Sequence, residues 1–242
     1  MTTSSTAAPA LDLGPEPGLQ AVLLDMDGTL VDTEDFWWQA EVSLFAELGH
    51  RLDEQDRAHV VGGPMTRVME YLVARTGVDI APADLGVLVN QRFVDLLGGG
   101  VPLMPGAERL LNTLAAHGVP AALVSASHRH VIDIVLRSLG ADRFAFTIGG
   151  DELPRTKPFP DPYLEAARRL GAEPARCVVV EDTPTGVRAG EAAGCPVIAV
   201  PSVAPIEPAP GRLVLPSLEQ VDLELLRSLV ASRVQGAATH WM

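Results

Sequence analysis

Short apolar runs alternate with amphipathic segments along most of the chain. The apolar runs are continuous, which is typical of strands buried on both faces of a parallel sheet. The amphipathic segments between them end at glycines such as Gly118 and Gly140, as helices commonly do. This order of elements predicts an α/β fold with a doubly wound, Rossmann-like parallel sheet. The predicted strands, each with the turn after it, occupy residues 21–30, 119–127, 144–150, 176–183 and 195–202, with a short edge strand at 211–218.

One long segment between the first two predicted strands breaks this alternation. Apolar residues recur there at helical spacing in three stretches, residues 34–49, 64–77 and 82–97. Three amphipathic helices are more than one crossover needs. We therefore predict an α-helical cap domain inserted into the core, with the Gly- and Pro-rich residues 98–106 as the return hinge. The predicted organisation is a flexible leader at 1–19, an α/β core at 20–32 and 101–235, the cap at 33–100 and a flexible tail at 236–242.

Composition and charge restrict the partners. The 242-residue chain carries a formal net charge of −13 at pH 7, which argues against nucleic acid because phosphate neutralisation requires clustered Lys and Arg. No apolar run reaches the roughly 18 residues of a membrane span, and the first residues do not resemble a secretory signal. Cys177 and Cys195 adjoin apolar runs, which predicts buried free thiols. We expect a cytoplasmic protein that is a monomer or a weak homo-oligomer.

Acidic residues follow two of the predicted strands. Asp25 and Asp27 come after the first strand, and Glu181 and Asp182 after the fourth. Ligands of open α/β sheets bind beyond the carboxyl ends of the strands, so these side chains are candidates for one site. Carboxylates crowded at buried strand ends repel one another and need a cation. Oxygen ligands suit Mg²⁺, and no cluster of Cys or His supports zinc.

The chain has 18 Lys and Arg residues together, and only Lys157 is a lysine. It lies in PRTKPFPDPYLEA, residues 154–166, after the third predicted strand. A bias towards arginine would explain one lysine by chance. A site that needs a compact ammonium, which a planar guanidinium cannot replace, would also explain it.

Four segments, DMDGTLVDTE, LVSAS, KPFPDPYLEA and VVVEDTPTGVRAGEAAG, resemble the four motifs of the haloacid dehalogenase superfamily, in the same order. The resemblance covers about residues 20–205. The helical insert after the first motif resembles the cap of the subgroup that contains phosphoglycolate phosphatase and beta-phosphoglucomutase. The resemblance implies a phosphatase for a small phosphorylated metabolite, of the sugar phosphate or phosphoglycolate type.

The resemblance also implies a mechanism. Asp25 would be the nucleophile and form an aspartyl-phosphate, while Asp27 would protonate the leaving alkoxide and then deprotonate the attacking water. Asp25, the backbone carbonyl of Asp27, and Asp182 would bind Mg²⁺, with Glu181 as a further ligand or as a support for the ligands. The expected phosphate-binding residues are Thr29, Ser125, Ala126 and Lys157.

The cap would close over the site and select the substrate. Gly62 lies in VVGGPMTR, residues 60–67, which resembles the loop by which such caps reach the site. Trp37 is a candidate for packing on a sugar ring or, alternatively, for packing between cap and core. Arg67 is a candidate for a substrate anion or, alternatively, a solvated helix residue. His128 is a further candidate in the substrate region.

Three other functions are weighed against the phosphatase. Beta-phosphoglucomutases carry a His where this chain has Trp37, an Arg where it has Met65, and Lys-Asn where it has His128 and Arg129. A mutase therefore stays an alternative rather than the main hypothesis. Phosphate-accepting receiver domains have their acidic residues and Lys in another chain order and lack a helical insert. Dehalogenation needs neither a metal nor a second Asp, and Asp27 argues against it.

Overall fold

The computed structural model describes residues 18–61 and 65–238, with side chains as far as residue 232. Its centre is a six-stranded sheet in the order β3-β2-β1-β4-β5-β6, in which every pair of neighbouring strands is parallel. The sheet confirms the predicted doubly wound α/β class. The strands are β1 (Ala21–Leu24), β2 (Ala121–Val124), β3 (Phe146–Ile148), β4 (Cys177–Glu181), β5 (Val197–Ala199) and β6 (Arg212–Val214).

Helices follow β1 before the chain returns to the sheet at β2. Their packed residues include Ala40, Phe45, Met69, Leu72 and Phe93, which are fully or almost fully buried. These side chains belong to the same apolar cluster as Val22 and Leu24 of β1, so the apolar interior is continuous from the inserted helices to one face of the sheet. The cap boundaries and the hinge stay predictions. The four helices described here are α1 (Glu34–Glu47), α2 (Glu54–Val60), α3 (Met65–Thr76) and α4 (Pro82–Leu97).

Helix α2 was missed by the periodicity argument, which predicted three helices in this segment. It has only seven residues, and only Asp56 and Val60 of them are buried, so no apolar stripe marks it. Its N-terminus is fixed instead by a capping box. The Asp53 side chain accepts hydrogen bonds from the backbone N–H groups of Gln55 and Asp56, and the Asp56 side chain accepts one from the Asp53 N–H. Asp replaces the usual Glu in this motif, which hides it from a pattern search.

The remaining helices cover both faces of the sheet. Side chains alternate along β1, so Val22 and Leu24 lie in one apolar core, and Ala21 and Leu23 lie in the other. Three of the helices pack on the first core and two on the second. On the first are α5 (Ala107–Ala116), α6 (Arg129–Leu139) and α9 (Leu223–Ala238), and on the second are α7 (Asp161–Leu170) and α8 (Pro184–Ala192).

Both cysteines are buried and free, as predicted. Burial raises the pKa of the Cys177 thiol to about 12, which makes that thiol a poor nucleophile. Among the described residues, no helix is long and apolar enough to cross a membrane. Most of the predicted leader and the end of the predicted tail lie outside the described residues, and so does Gly62.

Candidate active site

The first acidic motif begins directly after the central strand β1. The Asp25 N–H donates to the Val180 carbonyl of β4 at 3.0 Å, which holds the end of the strand in place. The chain then turns at Gly28, whose φ is +75°. A Cβ at Gly28 would lie 2.1 Å from Asp182 Oδ2 and 2.6 Å from Ser202 Oγ. Only glycine permits both this backbone conformation and this close approach of the two acidic motifs.

Lys157 joins three strand ends. Its Nζ lies 2.5 Å from Asp25 Oδ1, 2.6 Å from Glu181 Oε1 and 2.8 Å from the Val124 carbonyl oxygen. A lysine ammonium has three N–H donors, and each has one of these acceptors. The planar guanidinium of an arginine cannot point its donors at three acceptors grouped around a single nitrogen. The contacts therefore give the single lysine a structural reason.

Glu181 is fully buried, and both of its carboxylate oxygens accept hydrogen bonds. Oε1 accepts from Lys157 and from the Tyr163 hydroxyl at 2.8 Å. Oε2 accepts from the Asp182 N–H and from the N–H and hydroxyl of Thr183, at 3.2, 3.3 and 3.1 Å. Glu181 thus orients Lys157 and the start of α8. Sequence reasoning missed Tyr163, although a tyrosine on the buried face of a helix needs a polar partner for its hydroxyl.

Three buried carboxyl groups meet at this edge of the sheet. Asp25, Glu181 and Asp182 each offer an oxygen, and these oxygens lie within 4.8 Å of one another. Burial and repulsion by Glu181 raise the pKa of Asp25 well above its usual range, and Lys157 opposes this only in part. Burial and Glu181 also raise the pKa of Asp182 to about 7. One ammonium does not balance three carboxylates, so the oxygen-only donor set fits a hard divalent cation.

Asp27 lies in a different environment from Asp25. Its Oδ1 accepts from the Thr33 hydroxyl at 3.0 Å, and its Oδ2 accepts from Ser127 at 2.7 Å and Ser125 at 3.2 Å. Thr33 directly precedes α1, so the first residue of the predicted cap contacts this carboxylate. The three hydroxyl groups fix the direction of Asp27 without supplying a positive charge. The structure thus separates two carboxylates that are two positions apart in the sequence.

The other predicted phosphate-binding residues lie beside Asp27, beside the acidic cluster or in the wall of a neighbouring cavity. Ser125 Oγ contacts Asp27 and also accepts from the Ser127 N–H at 2.9 Å. Thr29 is buried and donates to Asp182 Oδ1 at 3.5 Å, beside the acidic cluster. Ala126 lines a neighbouring cavity. Their roles towards a phosphate stay predictions.

A cavity of about 560 Å³ lies between α1, α3 and α4 and the loop after β2. Trp37 and His128, two of the predicted substrate residues, line it. The Trp37 ring also stacks on Phe93, with centroids 3.7 Å apart and planes at 6°, so one of its faces packs within the helices. Arg67 is exposed and is not part of the cavity wall. Other residues of the wall include Glu34, Trp38, Glu41, Asn90, Ser127 and His130.

The chain belongs to the haloacid dehalogenase-like hydrolases, since that family's sequence profile matches residues 22–200. Hexitol phosphatase B of Escherichia coli is 32% identical over 220 residues, which cover 89% of this chain and 96% of that protein. The bifunctional riboflavin kinase/FMN phosphatase of Arabidopsis thaliana is 35% identical over 187 residues, 75% of this chain. The alignment spans only 48% of that longer protein.

Among solved structures, CbbY of Rhodobacter sphaeroides is similar over 86% of this chain and 99% of that one. Its TM-score is 0.72 and its sequence identity 26%. That structure is of a mutant in complex with xylulose-(1,5)bisphosphate. The family match and the phosphatases among the relatives confirm the predicted family and enzyme class. They also exclude the receiver-domain alternative.

Proposed function

We propose that the protein is a Mg²⁺-dependent phosphatase that hydrolyses a small phosphate monoester of the sugar or polyol type through an aspartyl-phosphate. The proposal rests on the different hydrogen-bond partners of two neighbouring carboxylates. Asp25 is held by Lys157 in the acidic cluster, whereas Asp27 is held by three hydroxyl groups. Such a difference suits one nucleophile and one general acid and base.

In the first step, a carboxylate oxygen of Asp25 attacks phosphorus and the bond to the leaving oxygen breaks. Asp27 gives its proton to the leaving oxygen. In the second step, Asp27 takes a proton from water, and the water oxygen attacks the phosphorus of the aspartyl-phosphate. Inorganic phosphate leaves and the Asp25 carboxylate is restored. Lys157 stabilises negative charge beside Asp25 in both steps.

Asp25 and Asp182 would hold Mg²⁺, and the Asp27 backbone carbonyl stays a predicted ligand. When bound, the ion would neutralise charge on the phosphoryl oxygens and on the two carboxylates. Glu181 would act as a positioning residue, because its oxygens already accept bonds from Lys157, Tyr163 and Thr183. The raised pKa values of Asp25 and Asp182 support a cation site between these two carboxyl groups, since a bound cation would favour their ionised forms.

The relatives suggest two substrate types. One is named a phosphatase of hexitols, and another was crystallised with a sugar bisphosphate. No observation favours the mutase alternative. Trp37 stands where the mutases have a His, and its ring is stacked on Phe93.

Release of inorganic phosphate tests the function. Wild-type protein should hydrolyse p-nitrophenyl phosphate and several sugar and polyol monophosphates with Mg²⁺, and EDTA should stop the reaction. Asp25→Asn should lower turnover by at least about 10³-fold, because it removes the nucleophile. Asp142→Asn, which changes an exposed aspartate shortly before β3, is the matched control. Turnover by Asp25→Asn within tenfold of wild type would rule out the mechanism.

A further inference from the structure

We propose that Glu41 recognises a hydroxyl group on the leaving group of the substrate, so that the enzyme prefers monophosphates of neutral, polyhydroxylated compounds. This inference rests on the proposed phosphatase function. It adds a residue that would select the sugar and polyol monophosphates proposed above.

Glu41 lies on α1 with only 4% of its surface exposed, and it lines the cavity described above. Its Oε2 is buried and has no hydrogen-bond partner among the described residues. An unpaired carboxyl oxygen in a buried place costs free energy, and an apolar side chain there would avoid that cost. Because Glu41 borders the cavity, a ligand bound there can give the carboxyl group a hydrogen bond that the described residues do not, which explains why a carboxyl group stands in this wall.

The protonation state of Glu41 suits a hydroxyl partner. Burial, and then repulsion by Glu34, raise the pKa of Glu41 to about 8. At neutral pH the protonated acid therefore predominates. A protonated carboxyl group donates one hydrogen bond and accepts others, which is also what a sugar or polyol hydroxyl does.

The cavity adjoins the residue that would protonate the leaving oxygen. Ser127 is part of the cavity wall, and its hydroxyl donates to Asp27 at 2.7 Å. A substrate whose leaving oxygen lies at Asp27 can therefore extend its remainder past Ser127 into this cavity. There, Trp37 and Trp38 offer apolar surface to the C–H groups of a carbon chain or ring.

The charge of the wall argues against a second phosphate. The described wall contains the acidic residues Glu34 and Glu41 and the histidines His128 and His130, but no Lys or Arg. A helix N-terminus can bind an anion, and the wall includes His128 and His130 at the start of α6, beside Ser127. Tight binding of a second phosphate generally uses Arg or Lys, and the described wall has neither. The wall therefore favours a leaving group that carries hydroxyls rather than a further anion.

The test compares wild type, Glu41→Leu and Glu41→Gln on two kinds of substrate with Mg²⁺. One kind is a hydroxylated monophosphate: sorbitol 6-phosphate, glucose 6-phosphate or glycerol 3-phosphate, whichever wild type uses best. The other is p-nitrophenyl phosphate, whose leaving group carries no hydroxyl. Glu41→Leu should lose about 10- to 100-fold in kcat/KM on the hydroxylated substrate and stay within about twofold on p-nitrophenyl phosphate. Glu41→Gln should stay within about fivefold on both, because an amide also donates and accepts.

A thermal unfolding measurement separates specificity from structure. Glu41→Leu should have a Tm at or above that of wild type, since it removes an unpaired buried carboxyl group. Equal loss on both substrates together with a lower Tm would make Glu41 a structural residue and overturn the inference. So would a wild-type preference for fructose 1,6-bisphosphate or phosphoglycolate over every hydroxylated monophosphate.

A third substrate tests the charge of Glu41. If wild type prefers glucosamine 6-phosphate to glucose 6-phosphate and Glu41→Gln abolishes that preference, Glu41 binds an ammonium as a carboxylate, and the hydroxyl assignment fails. Wild-type protein that releases phosphate from none of these compounds would instead overturn the proposed function, and the inference with it.

Discussion

Lys157 Nζ lies 2.5 Å from Asp25 Oδ1, although 132 positions separate the two residues in the chain. The same nitrogen is bound to Glu181 and to the end of β2, so one buried ammonium links three strands of the sheet. The attraction of Asp25 and Glu181 outweighs the effect of burial, which alone would lower the pKa of Lys157, and raises that pKa instead. The lysine therefore stays charged at neutral pH.

Lys157→Arg keeps the charge and should still lower kcat by at least about 100-fold, because a planar fork cannot reach three acceptors around one point. Steady-state kinetics on p-nitrophenyl phosphate, with circular dichroism to check folding, would measure this. The reverse exchange at a nearby exposed position, Arg155→Lys, is the matched control and should keep wild-type kinetics. Wild-type kinetics in Lys157→Arg would show that the site does not require a lysine, and the single lysine would then be explained by composition alone.

Asp27→Asn should reduce turnover of sugar and polyol phosphates by about 10²- to 10⁴-fold, since it removes the general acid and base. The first step on p-nitrophenyl phosphate should suffer less, because nitrophenolate leaves without protonation. The size of the nitrophenolate burst in rapid-mixing experiments would report this difference. A milder change, Ser127→Ala, should lower kcat by about 3- to 10-fold by loosening one of three hydrogen bonds to Asp27. If Asp27→Asn were as active as wild type on alkyl phosphates, another residue would have to protonate the leaving group.

Gly28→Ala should lower both stability and Mg²⁺ affinity. Its Cβ would lie 2.1 Å from Asp182 Oδ2 and push the two acidic motifs apart. Gly49→Ala is a close control, since Gly49 has a φ of +83° and nothing within 4 Å of its Cβ position. Both variants carry the strain of a positive φ, but only Gly28→Ala has the clash. Calorimetric Mg²⁺ titration should therefore distinguish the two variants. Equal Mg²⁺ affinities would show that the close approach of Gly28 to Asp182 does not shape the metal site.

Mg²⁺ should raise the Tm more at pH 8 than at pH 5.5. The pKa of Asp182 is about 7 in the folded protein against an ordinary value of 3.8. Between about pH 4 and 7 the folded state therefore binds more protons than the unfolded state, and without metal its stability falls as pH rises. The raised pKa of Asp25 acts in the same direction. Because Mg²⁺ binds the ionised carboxylates, it offsets this loss where they are ionised.

Asp182→Asn is the variant that checks this linkage by differential scanning fluorimetry. It should weaken both the pH dependence of the metal-free Tm and the stabilisation by Mg²⁺. Asp142→Asn should change neither. A Tm increase with Mg²⁺ of the same size at both pH values would show that Asp182 does not couple metal binding to protons.

Much of this protein follows from local sequence. Continuous apolar runs predict the parallel sheet, because strands covered on both faces have no polar side. The helix at Pro82–Leu97 carries an apolar stripe and a Pro near its start, and its predicted bounds agree with the structure. Helix α2 is the contrasting case, since seven residues with two buried positions carry too little periodic signal and a local hydrogen-bonding motif defines the helix. The candidate acidic residues could also be named, because they follow apolar runs, and so could Lys157, because it is the single lysine of the chain.

The partners of those side chains were decided only by the tertiary structure. No spacing in the chain shows that Lys157 bridges Asp25 and Glu181, or that Tyr163 shares Glu181 with it. Nor does the sequence show that Thr33 and Ser127 meet at Asp27. Glu41 sits in α1, and its burial depends on how other parts of the chain pack around that helix. Hydrophobic periodicity encodes which face of an element is covered, whereas polar contacts across the sheet arise only when parallel strands bring distant loops to one edge.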